Sequence, residues 1–156
     1  MGESEWKHAG WVSGLGKWAW IIFLVTGILG IIVGLATTIP RIIAWGITRD
    51  AWVLAFPGIP YTVPMPLGGL GWNIISGIIS IVLTLFIIRP KFSKPCGEKD
   101  WEALYGWTLN LGGKNVPWMF IWGIIYGIFG WYSWPAVFIM LPAIMLIWVG
   151  PRKYEW

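Results

Sequence analysis

Charged side chains are absent from three long stretches of the chain: Trp18 to Pro40, Ala51 to Ile88, and Asn115 to Pro151. A helix crossing about 30 Å of hydrocarbon at 1.5 Å per residue needs roughly 20 apolar residues, so each stretch has room for at least one span. The first stretch predicts one helix over about 18–38. The second is too long for one helix, and Pro57, Pro60, Pro64 and Pro66 break its front half. Its span is therefore expected at about 67–88, with Arg89-Pro90-Lys91 marking the exit. The third divides at Trp131-Tyr132-Ser133-Trp134-Pro135. Interfacial aromatics, a capping Ser and a helix-starting Pro predict a tight turn there, between spans at about 116–130 and 135–149. Both lie near the lower limit of spanning length and require a thin bilayer or a shielding neighbour.

Composition agrees with this pattern: 57% of residues are hydrophobic, 12% are charged, and the mean hydropathy is +0.69. Eleven basic and seven acidic side chains cannot coat a water-soluble domain of 156 residues. A soluble enzyme, a disordered tail and a nucleic-acid-binding module are set aside together, and no nucleic-acid partner is expected. The expected fold is all-α, an integral membrane protein with four transmembrane helices. With four crossings, nine basic residues fall on the side of the termini and two, Arg41 and Arg49, on the other. Both termini are then expected to be cytoplasmic, in what reads as a prokaryotic plasma membrane.

The two halves resemble each other. Gly2-Glu3-Ser4-Glu5-Trp6 followed by Gly10-Trp11 recurs as Gly97-Glu98-Lys99-Asp100-Trp101 followed by Gly106-Trp107, and Gly27-Ile28-Leu29-Gly30 recurs as Gly127-Ile128-Phe129-Gly130. This predicts two tandem helical hairpins, residues 1–95 and 96–156. An even number of spans in each copy inserts both the same way up, giving a parallel rather than an inverted repeat. The main difference between the copies is an outer loop, 39–66, expected to be extended or short-helical. It reads as a contact surface that orders an assembly, or as a plain connector.

Lipid weakens the hydrophobic gain from helix pairing, so small residues that admit close backbone approach become the candidate packing faces. These are Gly27, Gly30 and Gly34 on the first helix and Gly123, Gly127 and Gly130 on the third. The second helix carries Asn73, Ser76, Ser80 and Thr84 at steps that place them on one face. This polar stripe is expected to bond neighbouring helices or to line a hydrated path. No Asp, Glu, Lys, Arg or His lies within any predicted span, which disfavours a pump or proton-coupled transporter. Fifteen tryptophans avoid two helix interiors. Trp18, Trp20, Trp72, Trp118, Trp131, Trp134 and Trp148 read as interfacial anchors, with an aromatic surface for lipid, quinone, pigment or a neighbouring subunit as the alternative.

Little else carries chemistry. Cys96 is the single cysteine and His8 the single histidine, so a disulfide, a bis-His haem and a Ser-His-Asp triad all lack residues. Cys96 is read as a free thiol, with lipidation or crosslinking between chains as alternatives. Glu98, Asp100 and Glu102 share a loop with Lys94 and Lys99 and read as a solvated face. No catalytic residue, metal site or cofactor is expected. The expected function is a non-catalytic structural or accessory membrane subunit that packs against lipid, itself or other membrane subunits. A small oligomeric channel or facilitator lined by the polar stripe is the alternative, and a lipid- or quinone-binding subunit the third reading.

Overall fold

The computed structural model of the chain describes residues 6–129 and 134–154. Most of these are helical, and they begin with a 47-residue helix, α1, Ala9–Ala55. At 1.5 Å per residue α1 is about 70 Å long, more than twice the hydrocarbon thickness. It continues through Pro40, where the sequence predicted the first span to end and the outer loop 39–66 to begin. A proline removes one backbone donor and crowds one carbonyl. The helix continues past it because residues 41–55 contain no second proline and rebuild the hydrogen-bond ladder up to Phe56 N–H on the Trp52 carbonyl, 2.8 Å. The outer loop is thereby reduced to 56–67, and this proline-rich strap returns alongside α1. Trp45 Nε1 donates to the Val63 carbonyl at 2.9 Å and Trp52 Nε1 to the Ile59 carbonyl at 3.3 Å, with Tyr61 ringed by both indoles.

The second long helix is a continuous run, Gly68–Gly97, in three segments. They are α2, Gly68–Leu83, a π-helical stretch, Thr84–Ser93, and a closing turn, α3, Lys94–Gly97. Arg89-Pro90-Lys91, expected as its exit, lies inside it. A wide π turn is uncommon over ten residues. Here it surrounds Pro90, whose ring would otherwise press on the carbonyl four residues back.

After it come α4, Trp101–Gly106, and a two-stranded antiparallel hairpin, β1, Thr108–Leu111, with β2, Lys114–Pro117. This strand pair corrects the predicted third span, because Val116 and Pro117 belong to β2. Leu111 pairs with Lys114 across a two-residue Gly112-Gly113 turn in which both glycines have positive φ, 60° and 85°. That backbone suits the tight hairpin turn matching strand twist, and glycine adopts it without strain. Helix α5 is Trp118–Phe129, and a 3-10 turn at Trp134–Ala136 opens α6, Val137–Val149.

Helix α1 packs along the second long helix and against α6, and α5 packs on α6. Phe23, Ile88, Phe92, Leu104, Met119, Tyr126, Ile139 and Leu146 form the shared core. Around it Ile28, Ile32, Ile75, Ile79, Ile124 and Trp148 are exposed, an apolar exterior unsuited to water. Two helices, Ala9–Ala55 and Gly68–Gly97, are long and apolar enough to cross a membrane. Helices α5 and α6, at about 18 and 20 Å, are shorter than the hydrocarbon layer.

One end of the bundle gathers segments distant in sequence. Ser13 Oγ donates to the Gly97 carbonyl at 3.3 Å, Tyr105 OH to the Leu146 carbonyl at 2.7 Å and Tyr154 OH to the Asn115 carbonyl at 3.0 Å. Trp6 and Trp101, the tryptophans of the repeated pentapeptide, meet edge to face at 5.5 Å. Trp6 and Tyr154, the first and last described residues, therefore lie with the segment 96–117, and the strap lies at the other end of α1.

Candidate functional site

The polar stripe and the glycine face, read separately in the sequence, meet each other. A Cβ on Gly27 would lie 3.2 Å from the Gly77 carbonyl oxygen, and one on Gly77 would lie 2.8 Å from the Gly27 carbonyl oxygen. The two backbones approach directly, as small residues allow when dispersion rather than water drives pairing. Two turns further along α1, and one turn back along α2, a Cβ on Gly34 would meet Asn73 Cβ at 2.7 Å, so the asparagine occupies the notch that Gly34 leaves.

On the core side of this crossing lies a three-helix polar joint. Tyr126 OH, from α5, donates to the Ser80 carbonyl at 3.0 Å and is 2.9 Å from Thr84 Oγ1. A phenol has one proton, so with that proton on the Ser80 carbonyl the Thr84 hydroxyl donates to Tyr126. Ser80 Oγ donates to the Phe23 carbonyl of α1 at 3.5 Å, and the Phe23 ring lies 4.1 Å from the Tyr126 ring. Ser76 Oγ bonds its own helix at the Asn73 carbonyl, 3.3 Å. Ser76, Ser80 and Thr84 are buried and Asn73 is half-buried, each turned toward neighbouring helices of this chain. Chemically the joint can hold helices in register; its hydroxyls already have partners, and among the described residues no base is bonded to them.

The glycines of the second hairpin face their own partner helix. A Cβ on Gly123 would lie 2.7 Å from Met140 Cγ, whereas one on Gly127 would find Ala136 Cβ at 3.9 Å. Gly30 is buried in α1. Gly130 and Trp131 lie outside the described residues. Of the other tryptophans, Trp18, Trp72, Trp134 and Trp148 are exposed. Trp118 stacks on Trp122, and Trp20 is half-buried beneath the Arg89 guanidinium, 4.7 Å from its centroid.

Cys96 is buried with Sγ 3.5 Å from the Val12 carbonyl, and its Cβ lies 2.8 Å from where a Gly16 Cβ would stand. This places it out of reach of lipidation or crosslinking from the surface. His8 accepts from Trp11 Nε1 at 3.3 Å. Asp100 caps α4 by accepting from Ala103 N–H at 3.0 Å, and Glu102 pairs with Arg152 at 2.8 Å. Among the described residues no three His, Cys, Asp or Glu come together as a metal site.

Sequence reasoning missed Tyr126, Gly16 and Tyr105. Tyr126 had a signal, being the only hydroxyl-bearing residue of α5. Gly16 had none, because its role exists only once Cys96 is brought against α1. Tyr105 lies outside the long apolar helices, and its burial raises the phenol pKa above its ordinary value, while Arg152 opposes the rise. No family model, curated protein or solved structure matches this chain.

Proposed function

We propose that the chain is a non-catalytic membrane subunit, built as two parallel hairpins with four crossings and both termini cytoplasmic in a prokaryotic plasma membrane. In this reading it joins copies of itself or other membrane proteins. The observation that carries it is the part of α1 beyond Pro40. Residues 18–40 already cover about 34 Å, the full hydrocarbon layer. Residues 41–55 add about 22 Å past it, yet Ile43, Ile47 and Leu54 are 58, 67 and 84% exposed there. An apolar helix held beyond the oil is a surface for a partner protein. Burial of Ser76, Ser80 and Thr84 by helices of the same chain favours this reading over a channel lined by that stripe.

Native mass spectrometry after gentle detergent extraction tests it. The expected result is an oligomer or a hetero-complex that Ile47→Lys with Leu54→Lys dissociates without lowering thermal stability. Recovery of a lone monomer overturns it.

The 12-residue length of α5 favours a second reading of the threading, in which the second hairpin enters and leaves on one side. Trp134→Cys separates the two, since Cys96 is buried and gives little background. Labelling of that cysteine by an impermeant maleimide from outside supports four crossings, and protection from both sides supports a re-entrant hairpin.

A further inference from the structure

Between α1 and the second long helix, at the end that holds Trp6 and Tyr154, lies a cleft of about 630 Å³. Lys17, Arg89 and Lys94 line it together with Trp20, Leu85 and Ser93. Glu98, at the same cleft, is its one carboxylate, which leaves an excess of two positive charges. None of the three cations is in an ion pair among the described residues. All three are exposed, and they sit at a defined level. Lys17 immediately precedes the charge-free run of α1, and Arg89 immediately follows that of the second long helix. In a bilayer this is the depth of the lipid headgroups.

Two features show more than a solvated basic edge. The Arg89 guanidinium lies over the Trp20 ring, 4.7 Å from its centroid, a cation–π contact that restrains the side chain at the cleft while its N–H groups have no ion-pair partner among the described residues. Ser93 is only 2% exposed, and its Oγ has no hydrogen-bond partner. In an ordinary helix such a hydroxyl donates to the carbonyl four residues back. Here that carbonyl, on Arg89, takes the Lys94 N–H in the wide π pattern. Ser93 lines the cationic cleft with this unpaired donor buried beneath its wall, and a ligand acceptor that displaces the covering side chains would satisfy it. Leu85 lines the cleft, and the neighbouring Phe86 and Trp18 are exposed, so the same site has an apolar flank facing the acyl region.

We propose that this cleft binds the phosphate group of an anionic phospholipid, with Lys17, Arg89 and Lys94 balancing its charge and the Ser93 hydroxyl donating to a phosphate oxygen. The proposal rests on the two long helices lying in a bilayer, and it is independent of the subunit role. A hydrogen bond to a charged group contributes enough to change affinity by roughly tenfold or more.

The test uses the full chain reconstituted into phosphatidylcholine vesicles with or without phosphatidylglycerol of the same acyl chains, followed by native mass spectrometry of retained lipid. Phosphatidylglycerol is expected to be retained about tenfold over phosphatidylcholine. Arg89→Gln and Lys17→Gln with Lys94→Gln are each expected to remove that preference, and Ser93→Ala to weaken it several-fold without loss of thermal stability. Should Arg89→Gln fail to fold for want of its Trp20 contact, the exposed lysines and Ser93 still decide the matter. Equal retention of both lipids, or unchanged retention in the folded Ser93 and lysine variants, overturns the proposal. Full competition by millimolar inorganic phosphate also overturns it, because the site would then take free phosphate rather than lipid. A chain that fails to float with either vesicle defeats the membrane reading itself, and is distinguishable from a chain that floats with both and prefers neither.

Discussion

The two hairpins meet their partner helices through glycine in different ways. In the first, Gly27 and Gly77 oppose backbone to backbone, and each carbonyl oxygen lies within 3.2 Å of where the other residue's Cβ would stand. In the second, Gly123 is filled by the Met140 side chain, and Gly127 has only ordinary contact with Ala136 among the described residues. A carbonyl cannot move without its helix, whereas an unbranched thioether finds another rotamer. The longer hairpin is thus held by a rigid crossing and the shorter one by an adaptable fit. Tyr126 ties the two together.

This contrast is open to attack at several points. Gly77→Ala should have the largest effect, lowering stability by about 2–3 kcal/mol in thermal unfolding in detergent, as for other overpacked sites. Gly123→Ala should cost about 1 kcal/mol, since Met140 yields. Equal losses would erase the distinction between the hairpins. Tyr126→Phe keeps the ring against Phe23 and removes the joint's central hydroxyl, with an expected loss of about 1 kcal/mol. An unchanged melting temperature would mean that the joint does not couple the hairpins. Gly127→Ala should change stability by less than about 0.5 kcal/mol, and a larger loss would show that the second hairpin is as tightly closed as the first.

The smallest effect concerns the end cluster. Tyr105 donates to the Leu146 carbonyl, and burial holds its pKa above the ordinary 10.0. A folded-state pKa above the unfolded one means that the folded chain binds the proton more tightly. The stabilisation is complete below the unfolded pKa and is lost as pH rises through the folded one. Unfolding followed by near-ultraviolet circular dichroism should therefore show stability falling above about pH 10. In Tyr105→Phe that part of the pH dependence should be absent, and an identical profile in the variant would remove Tyr105 as its source.

The apolar stretches 18–40 and 67–88 were legible because hydrocarbon-length runs without charge have few other uses. The glycines and the hydroxyl stripe were legible as faces through helical periodicity. What they faced was not, because a face states an orientation and names no partner. Pro40 and Pro90 misled as helix ends, since a proline forbids one bond and not a whole helix, and the surrounding ladder decides the outcome. The Gly112-Gly113 hairpin carried a readable turn signal that the long apolar window obscured.

The sequence by itself determined the three long charge-free stretches, the helical spacing of the glycines and hydroxyls, and the presence of a single cysteine and a single histidine. These follow from composition and period, which are properties of the chain alone. Only the tertiary structure decided that Asn73 fills the notch at Gly34, that Tyr126 joins two hairpins, and that Lys17 and Arg89 border one cleft beside an unpaired Ser93. Those pairings link residues 39 to 76 positions apart. Such contacts arise from the angle and register at which whole helices pack, and no local pattern encodes them.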